Sequence, residues 1–377
     1  MRIKEILGGL LVAALLIPLS LTAQTGGNLP ALKVKEYRLK NGLRVVMHED
    51  KSTPIVAVNV WYHVGSKNET AGRTGFAHLF EHMMFQGSKN YNADYLKAVD
   101  DLGASTLNGS TNADRTNYYQ VVPNNQLGAV LFLEADRMGN LLEAMTQEKL
   151  DNQRDVVKNE RRQSYDNQPY GTAQEKIASL MYPTSHPYSW TTIGSLDDLT
   201  AASMDDVKAF FREFYVPNNA TLVIAGDFDE LQARALVQRY FGPIKSGAAV
   251  KRPAQQNAQL SSVIRKEYED SVQLPRTYLV WHTVPMGSKD QPALDMLSSI
   301  LSAGRGSRLQ SKMVFDKQLV QDVNASHFSR EIGGAFSISS TARPGKTLSE
   351  IEQEINIEIE RIKKEGPTAD EVARALS

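Results

Sequence analysis

The stretch His78-Leu79-Phe80-Glu81-His82 decides how the rest of this chain is interpreted. On a helix, residues at positions i and i+4 lie on one face, so His78 and His82 can approach one metal ion, and Glu81 lies beside the same space. A single histidine on an apolar helix face is usually a packed or hydrogen-bonded core residue. Two histidines at this spacing with a carboxylate between them predict a metal site instead, because imidazole nitrogen is a common zinc ligand.

The overall composition narrows the kind of metal site. The 377 residues include no cysteine, so disulfides and thiolate ligands are excluded and any metal must be held by His, Asp or Glu. For zinc, this donor set favours an open catalytic site over a closed structural one. The 42 basic and 43 acidic side chains, without a long basic tract, argue against nucleic-acid binding. A small basic group at Lys158, Arg161 and Arg162 is expected to be a solvated helix face.

Residues 1–23 predict an export signal. Basic residues precede an apolar stretch from Ile6 to Leu21, and Ala23 offers a small-residue cleavage position before Gln24. The apolar stretch is shorter than the roughly 18 residues that indicate a membrane-spanning helix, and no other segment approaches that length. We expect a mature protein in the periplasm that begins near Gln24. The alternative is an uncleaved signal that tethers the protein to the membrane.

The hydrophobic pattern predicts an α+β fold. Apolar-alternating runs at Val34–Leu39 and Leu43–His48, split by Asn41-Gly42, predict a β-hairpin with a tight turn. Further strands are predicted at residues 55–63, 118–122 and 220–225, and helices at the motif up to about Gly87 and at residues 125–142, 147–165 and 204–215. Strands and helices interleave without a dinucleotide-binding glycine pattern, so we expect an antiparallel sheet packed against helices.

The chain is predicted to contain a tandem duplication. A Pro-, Gln-, Ala- and Ser-rich linker at residues 246–265 separates a catalytic domain at 30–245 from a second domain at 266–377. The sequence VWYHVGSK at residues 60–67 is echoed by VWHTVPMGSK at residues 280–289. The alternative is that two unrelated strand-helix units share a short match.

In this alignment Gly87 corresponds to Gly304, so Asp295, Ser298 and Ser299 replace the two histidines and the glutamate of the motif. The second copy therefore cannot bind the same metal. The chain stops inside a predicted helix at residues 369–377, which suggests a fragment that is truncated at its C-terminus.

A zinc ion held by two histidines needs a third protein ligand, and carboxylate is the usual partner in metallopeptidases. Glu160, on a predicted helix that begins at Asp151, is the candidate. From the residues alone, a lone Glu on a charged helix is more often a solvated side chain.

Several segments resemble one family of enzymes. GFAHLFEHMMFQG at residues 75–87, NERR at 159–162, and NNA at 218–220 leading to Gly226-Asp227 are similar to the pitrilysin/insulinase family of zinc peptidases. That family carries the inverted His-x-x-Glu-His motif, called the inverzincin motif, and includes mitochondrial processing peptidase. The resemblance implies tandem α/β sandwich domains arranged as halves that close like a clam shell around a chamber.

The resemblance also implies an activity. His78, His82 and Glu160 would bind one Zn²⁺ per chain, and Glu81 would be the general base of an endopeptidase that hydrolyses peptides or unfolded polypeptides. The segment Asn108-Gly109-Ser110-Thr111 looks like the family's edge strand, to which an extended peptide adds by main-chain hydrogen bonds. The alternative is an ordinary turn, because these are turn-forming residues.

Two positions depart from the family pattern. Active members usually have an Arg and a Tyr that engage substrate, and here Phe315 and Asp322 stand at those positions. A partner subunit or a continuation of the chain would then supply the pair. A carboxylate often found two turns before the third ligand is replaced by Gln153. The alternative functions are a non-catalytic peptide-binding or assembly subunit, and a maturation protease for a single precursor.

Overall fold

The structure is a computed structural model that describes residues 32–253 and 258–376. The predicted export signal at residues 1–23 lies outside the described residues. Within the described part of the chain, no helix is both long enough and apolar enough to cross a bilayer.

Six strands form the first sheet, in the spatial order β1-β2-β6-β3-β5-β4. Their bounds are β1 Val34–Arg38, β2 Arg44–Glu49, β3 Ile55–Tyr62, β4 Thr106–Thr111, β5 Thr116–Pro123 and β6 Ala220–Gly226. The helices of this part are α1 Phe76–Met83, α2 Tyr95–Asp101, α3 Leu127–Asn140, α4 Gln147–Arg161, α5 Ala173–Met181, α6 Leu196–Ala201, α7 Met204–Phe214 and α8 Glu230–Phe241. Among residues 32–253 and 258–376, strand β4 lies at the edge of the sheet and pairs only with β5.

The predicted hairpin is confirmed, because β1 and β2 pair antiparallel around Asn41-Gly42. Gly42 has a φ of 89°, a conformation that glycine adopts without strain. The buried Asn41 amide donates to the carbonyl oxygens of Phe241 (2.8 Å) and Ile244 (2.9 Å). The turn is therefore held by the end of α8 as well as by its own sequence.

The first sheet is mixed rather than wholly antiparallel. Strand β2 runs parallel to β6, whereas the other neighbouring pairs are antiparallel. Alternate residues of β3 face the helices, so Val56, Val58, Val60 and Tyr62 are fully buried while Trp61 is exposed. Burial of each large apolar side chain contributes about 1.5–3 kcal/mol.

Three strands form the second sheet, in the order β7-β9-β8, and all its pairs are antiparallel. The elements of this part are β7 Arg276–Thr283, α9 Gln291–Ser302, β8 Val320–Arg330, β9 Gly333–Ala342, α10 Leu348–Glu365 and α11 Ala369–Leu376. In both parts a strand precedes a helix and a glycine of positive φ, Gly87 at 91° and Gly304 at 73°. This order matches the predicted duplication.

The tip of the β8–β9 hairpin packs against the first part of the molecule. Lys67, whose side chain is fully buried, lies between Asp114 (Nζ to Oδ1, 3.1 Å) and Glu331 at the tip. The backbone N–H of Glu331 donates to Asp114 Oδ2 (3.1 Å), and that of Ile332 donates to the Tyr188 hydroxyl (3.1 Å). The hairpin tip therefore holds the turn that connects β4 to β5.

Several predicted bounds were wrong. The motif helix ends at Met83 rather than near Gly87, and α4 ends at Arg161, where a π-helical segment, Arg162–Asp166, replaces its predicted last turn. Arg161 does not belong to a solvated face, because its buried guanidinium bonds Gly194 O and Glu175. Helices α2, α5, α6 and α8 were not predicted. Asp229 carried a signal for α8, since its side chain accepts from Gln232 N (2.8 Å) as an N-terminal cap.

Residues between α8 and β7 contain no helix or strand in the part that the structure describes. This segment includes the predicted linker at residues 246–265. The domain boundaries themselves stay a prediction.

Candidate metal centre

Helix α1 has a glycine at its N-cap position, and its first turn is capped by the buried carboxyl group of Glu69. Gly75 has a φ of 86°, and a Cβ there would lie 2.8 Å from Ile193 O, so the position requires glycine. The Glu69 side chain accepts from the N–H groups of Gly75 (3.1 Å) and Ala77 (2.7 Å). Burial nevertheless raises the pKa of Glu69 to about 8. The cap fixes the first turn of the helix that carries His78.

Three side chains converge at one point. His78 and His82 come from α1 and Glu160 comes from α4, and one ligand atom from each lies within 4.8 Å of the others. The distance from His78 Nε2 to Glu160 Oε1 is 3.7 Å, and from His82 Nε2 to Glu160 Oε2 it is 3.4 Å. Ligand atoms about 2.0–2.2 Å from a tetrahedral zinc ion lie roughly 3.3 Å apart. The two distances between a histidine nitrogen and a Glu160 oxygen are therefore close to the separation that a zinc site requires.

The protonation states of His78 and Glu160 also suit metal binding. Burial, with a smaller effect from His82, lowers the pKa of His78 to about 4, so its ring is neutral at neutral pH. A hydrogen bond with His82 lowers the pKa of Glu160, which is therefore ionised. Metal ligands must be unprotonated in this way. Nδ1 of His78 is buried and has no hydrogen-bond partner among the described residues.

Glu81 lies beside this group without belonging to it. Its side chain is buried, and Thr111 Oγ1 donates a hydrogen bond to Oε2 (2.5 Å). Burial raises the pKa of Glu81, while the Thr111 bond and the charge of His82 lower it. A carboxyl group with a raised pKa near a metal centre is a candidate general base.

The segment Asn108–Thr111 forms part of β4, so the alternative of an ordinary turn is wrong. The strand passes directly over Glu81, because a Cβ on Gly109 would lie only 3.0 Å from Glu81 Oε1. The Ser110 hydroxyl donates to Asn117 Oδ1 (2.8 Å) on β5. Since β4 has a sheet neighbour on one side only within the described part of the chain, its other edge can accept an added strand. The substrate-binding role of these residues stays a prediction.

The second part of the molecule has no equivalent group among the described residues. Asp295 on α9 bonds His327 Nδ1 (2.7 Å) through Oδ1, and the hydroxyl groups of Ser298 and Ser299 donate to Asp295 O. Phe315 is exposed, with Arg305 5.2 Å above its ring.

Gln153, where many family members have a carboxylate, is buried on α4, and its amide donates to Asn152 Oδ1 (3.0 Å). Among the described residues it makes no hydrogen bond to the three candidate ligands. Sequence reasoning missed Glu69 and the bond that Thr111 makes to Glu81. The only signal for Glu69 was its position a few residues before the glycine that starts α1.

The His-x-x-Glu-His helix lies under the edge strand of a mixed sheet, and a second helix adds a carboxylate. This arrangement is typical of metallopeptidases with the inverted zinc motif. Residues 44–189 match the family model described as Insulinase (Peptidase family M16), and residues 201–377 match Peptidase M16 inactive domain. The chain belongs to peptidase family M16, the pitrilysin/insulinase family, and the resemblance seen in the sequence is confirmed.

Individual relatives agree with this assignment. The zinc protease PqqE of Helicobacter pylori is 32% identical over 370 residues, which cover 96% of this chain and 81% of that protein. The crystal structure of a protease from Helicobacter pylori has a TM-score of 0.81 at 30% identity and covers 92% of this chain and 83% of its own. The periplasmic protease PqqL of Escherichia coli shares the fold, with a TM-score of 0.73 at 20% identity over 91% of this chain and 39% of its own.

Proposed function

We propose that this chain is a zinc-dependent endopeptidase that hydrolyses peptides or unfolded polypeptides. The observation that carries the proposal is the convergence of His78, His82 and Glu160 on one point, with the buried Glu81 beside it. A protein that only bound peptides would not need this combination of ligand atoms and base. Membership of peptidase family M16 supports the same conclusion.

His78, His82 and Glu160 would hold one Zn²⁺ per chain. Zinc in such a donor set lowers the pKa of a bound water to about 7 and polarises the scissile carbonyl. The Glu81 carboxylate takes the proton of the attacking water and delivers it to the leaving amine. Its raised pKa suits this exchange, because a base must accept the proton and then release it.

The substrate would bind as an extra strand along the free edge of β4, at Asn108-Gly109-Ser110-Thr111. Such binding uses the peptide backbone, so it favours extended or unfolded chains over folded ones. Gly109 allows the strand to approach Glu81 closely, which brings a bound peptide near the base.

We also propose that the protein acts in the periplasm, from the signal-like residues 1–23 and the periplasmic location in the name of the Escherichia coli neighbour. A partner subunit or a continuation of this chain would supply the substrate-binding Arg and Tyr that Phe315 and Asp322 replace. An uncleaved signal would tether the protein to the membrane.

The test is hydrolysis of a quenched fluorescent peptide library by the purified protein, with zinc measured on the same samples. We expect about one zinc per chain, and the Glu81→Gln variant should retain zinc and lose turnover. The matched control is Glu148→Gln, at the far end of α4 from Glu160, which should keep both. Stoichiometric zinc without cleavage, alone or with an Arg/Tyr-bearing partner, would instead favour the non-catalytic peptide-binding subunit.

A further inference from the structure

The hydroxyl group of Thr111 has a specific partner that a peptide-binding strand does not require. Thr111 ends β4, and its Oγ1 lies 2.5 Å from Glu81 Oε2. A hydroxyl group within hydrogen-bond distance of a carboxyl oxygen can hold that oxygen in one position. The side chain therefore contacts the proposed base and not the free edge where peptide would bind.

The direction of this hydrogen bond follows from the protons available. The Thr111 hydroxyl has one proton to donate, and Glu81 Oε2 is the nearer of its two acceptors. The other hydroxyl nearby, Thr116 Oγ1, is 3.3 Å from Thr111 Oγ1 and donates its own proton to Val64 O (2.9 Å). The Thr111 proton thus has its best acceptor in Glu81.

The backbone around Thr111 is held in place from two sides. Thr111 pairs with Thr116 at the end of the β4–β5 ladder. In the connecting turn, the carbonyl of Asn112 accepts from Ser66 N (3.1 Å) and that of Ala113 accepts from Lys67 N (2.9 Å). A donor on a fixed backbone can orient its acceptor, because the carboxylate must turn to meet it.

The second carboxylate oxygen has room beside the strand. Glu81 Oε1 faces Gly109, where an added Cβ would lie 3.0 Å away, so the absence of a side chain leaves this oxygen uncrowded. The two carboxyl oxygens of Glu81 therefore have different surroundings on β4. Oε2 receives a hydrogen bond from Thr111, and Oε1 lies against bare backbone.

We propose that Thr111 is a positioning residue that fixes the Glu81 carboxylate through Oε2 and leaves Oε1 for proton transfer. Because Oε2 accepts from Thr111, whose backbone is fixed, the Glu81 carboxyl group is held in one orientation beside β4. The inference rests on the proposed peptidase function. Strand β4 would then have two roles: the backbone of the strand binds the peptide, and the side chain of Thr111 orients Glu81.

The experiment compares Thr111→Val, which keeps the shape and removes the hydroxyl, with Thr111→Ser, which keeps the hydroxyl. The matched control is Thr221→Val, a half-buried strand threonine on β6. With a quenched fluorescent peptide, we expect Thr111→Val to lower kcat about tenfold to a hundredfold at unchanged zinc content, since small misplacements of catalytic groups have effects of this size. KM should change little, and Thr111→Ser should restore most of kcat.

Three kinetic results would overturn the proposal: wild-type kcat in Thr111→Val, no rescue by Thr111→Ser, or a rise in KM alone, which would indicate peptide binding instead. Thr111→Ala serves as the second variant if Thr111→Val does not fold. Crystal structures of the wild type and Thr111→Val provide a readout independent of activity. If the wild type has no peptidase activity but the Glu81 carboxylate is reoriented in the Thr111→Val structure, the positioning role is supported and the peptidase function is refuted. An unchanged Glu81 carboxylate in Thr111→Val would refute the positioning role.

Discussion

Helices α1 and α9 occupy equivalent places in the two parts of the molecule but use their polar faces differently. Each follows a strand, β3 in one case and β7 in the other. The polar face of α1 carries His78 and His82, which meet Glu160 of α4. The polar face of α9 carries Asp295, which bonds His327 of β8 and so ties the helix to its own sheet. The same scaffold carries a candidate metal centre in one part and an ordinary packing contact in the other, depending on a few side chains.

The largest effect that the comparison predicts concerns the metal. Replacing His82 with Ala should remove a ligand and abolish stoichiometric zinc binding, because two remaining ligands hold zinc weakly. The equivalent change on α9, Ser299→Ala, should leave zinc unchanged. Zinc content after dialysis, measured by atomic emission, checks both. Equal zinc in the two variants would contradict the ligand assignment.

The next effect concerns the link between the two parts. Lys67 is fully buried between Asp114 and Glu331, so Lys67→Met would leave two carboxylates without their shared cation. Removing one partner of a buried ion pair lowers the free energy of unfolding by about 3–5 kcal/mol. We expect a loss of about 3 kcal/mol here, because Glu331 is partly exposed. Denaturant unfolding measures it.

Lys97→Met is the matched control, since Lys97 pairs with Asp101 on the surface of α2. Such an exposed pair contributes less than about 1 kcal/mol. If the two variants lose the same stability, the hairpin tip of the second part does not hold the β4–β5 turn.

A pH-dependent effect distinguishes the starts of the two helices. Helix α1 is capped by the buried Glu69, whereas the cap position of α9, Asp290, makes no side-chain cap bond. Since the folded-state pKa of Glu69 is raised from 4.5 to about 8, the folded state holds a proton that the unfolded state releases between these values. Stability from this group is therefore full below about pH 4.5 and is lost as the pH rises through about 8.

The Glu69→Gln variant should lack this contribution to the pH dependence. As the pH rises from 5 to 8, we expect the wild type to lose stability relative to the variant, by at most about 1.4 kcal/mol per pH unit. Above pH 8 the difference in stability should stay constant. Denaturant unfolding at several pH values measures it. If the free energies of unfolding of the two proteins change in parallel with pH, Glu69 is ionised in the folded state across this range.

Local signals in the sequence predicted much of the fold and the centre of the site. The Asn41-Gly42 turn and the alternation in β3 are encoded by neighbouring residues, and so is the spacing of His78 and His82 on one helix face. The family resemblance added Glu160, which residue pattern alone left as a solvated side chain. These features depend on few residues at fixed separations.

Contacts between distant segments could not be predicted in this way. Thr111 and Glu81 are 30 positions apart, and Lys67 and Glu331 are 264 apart, so no periodicity links either pair. The parallel pairing of β2 with β6 likewise depends on how the intervening helices pack. Each of these contacts is fixed by the folded arrangement of the sheets rather than by a local preference.

The smallest predicted effect tests what α9 does with its polar face. Asp295 is half-exposed, whereas the His327 side chain that it bonds is fully buried, so Asp295→Asn should weaken one hydrogen bond and cost about 1 kcal/mol. Zinc content and peptide hydrolysis should not change. Thermal unfolding with parallel zinc analysis measures the two effects separately. A loss of zinc in this variant would mean that α9 contributes to the metal centre, and the contrast between the two helices would then be wrong.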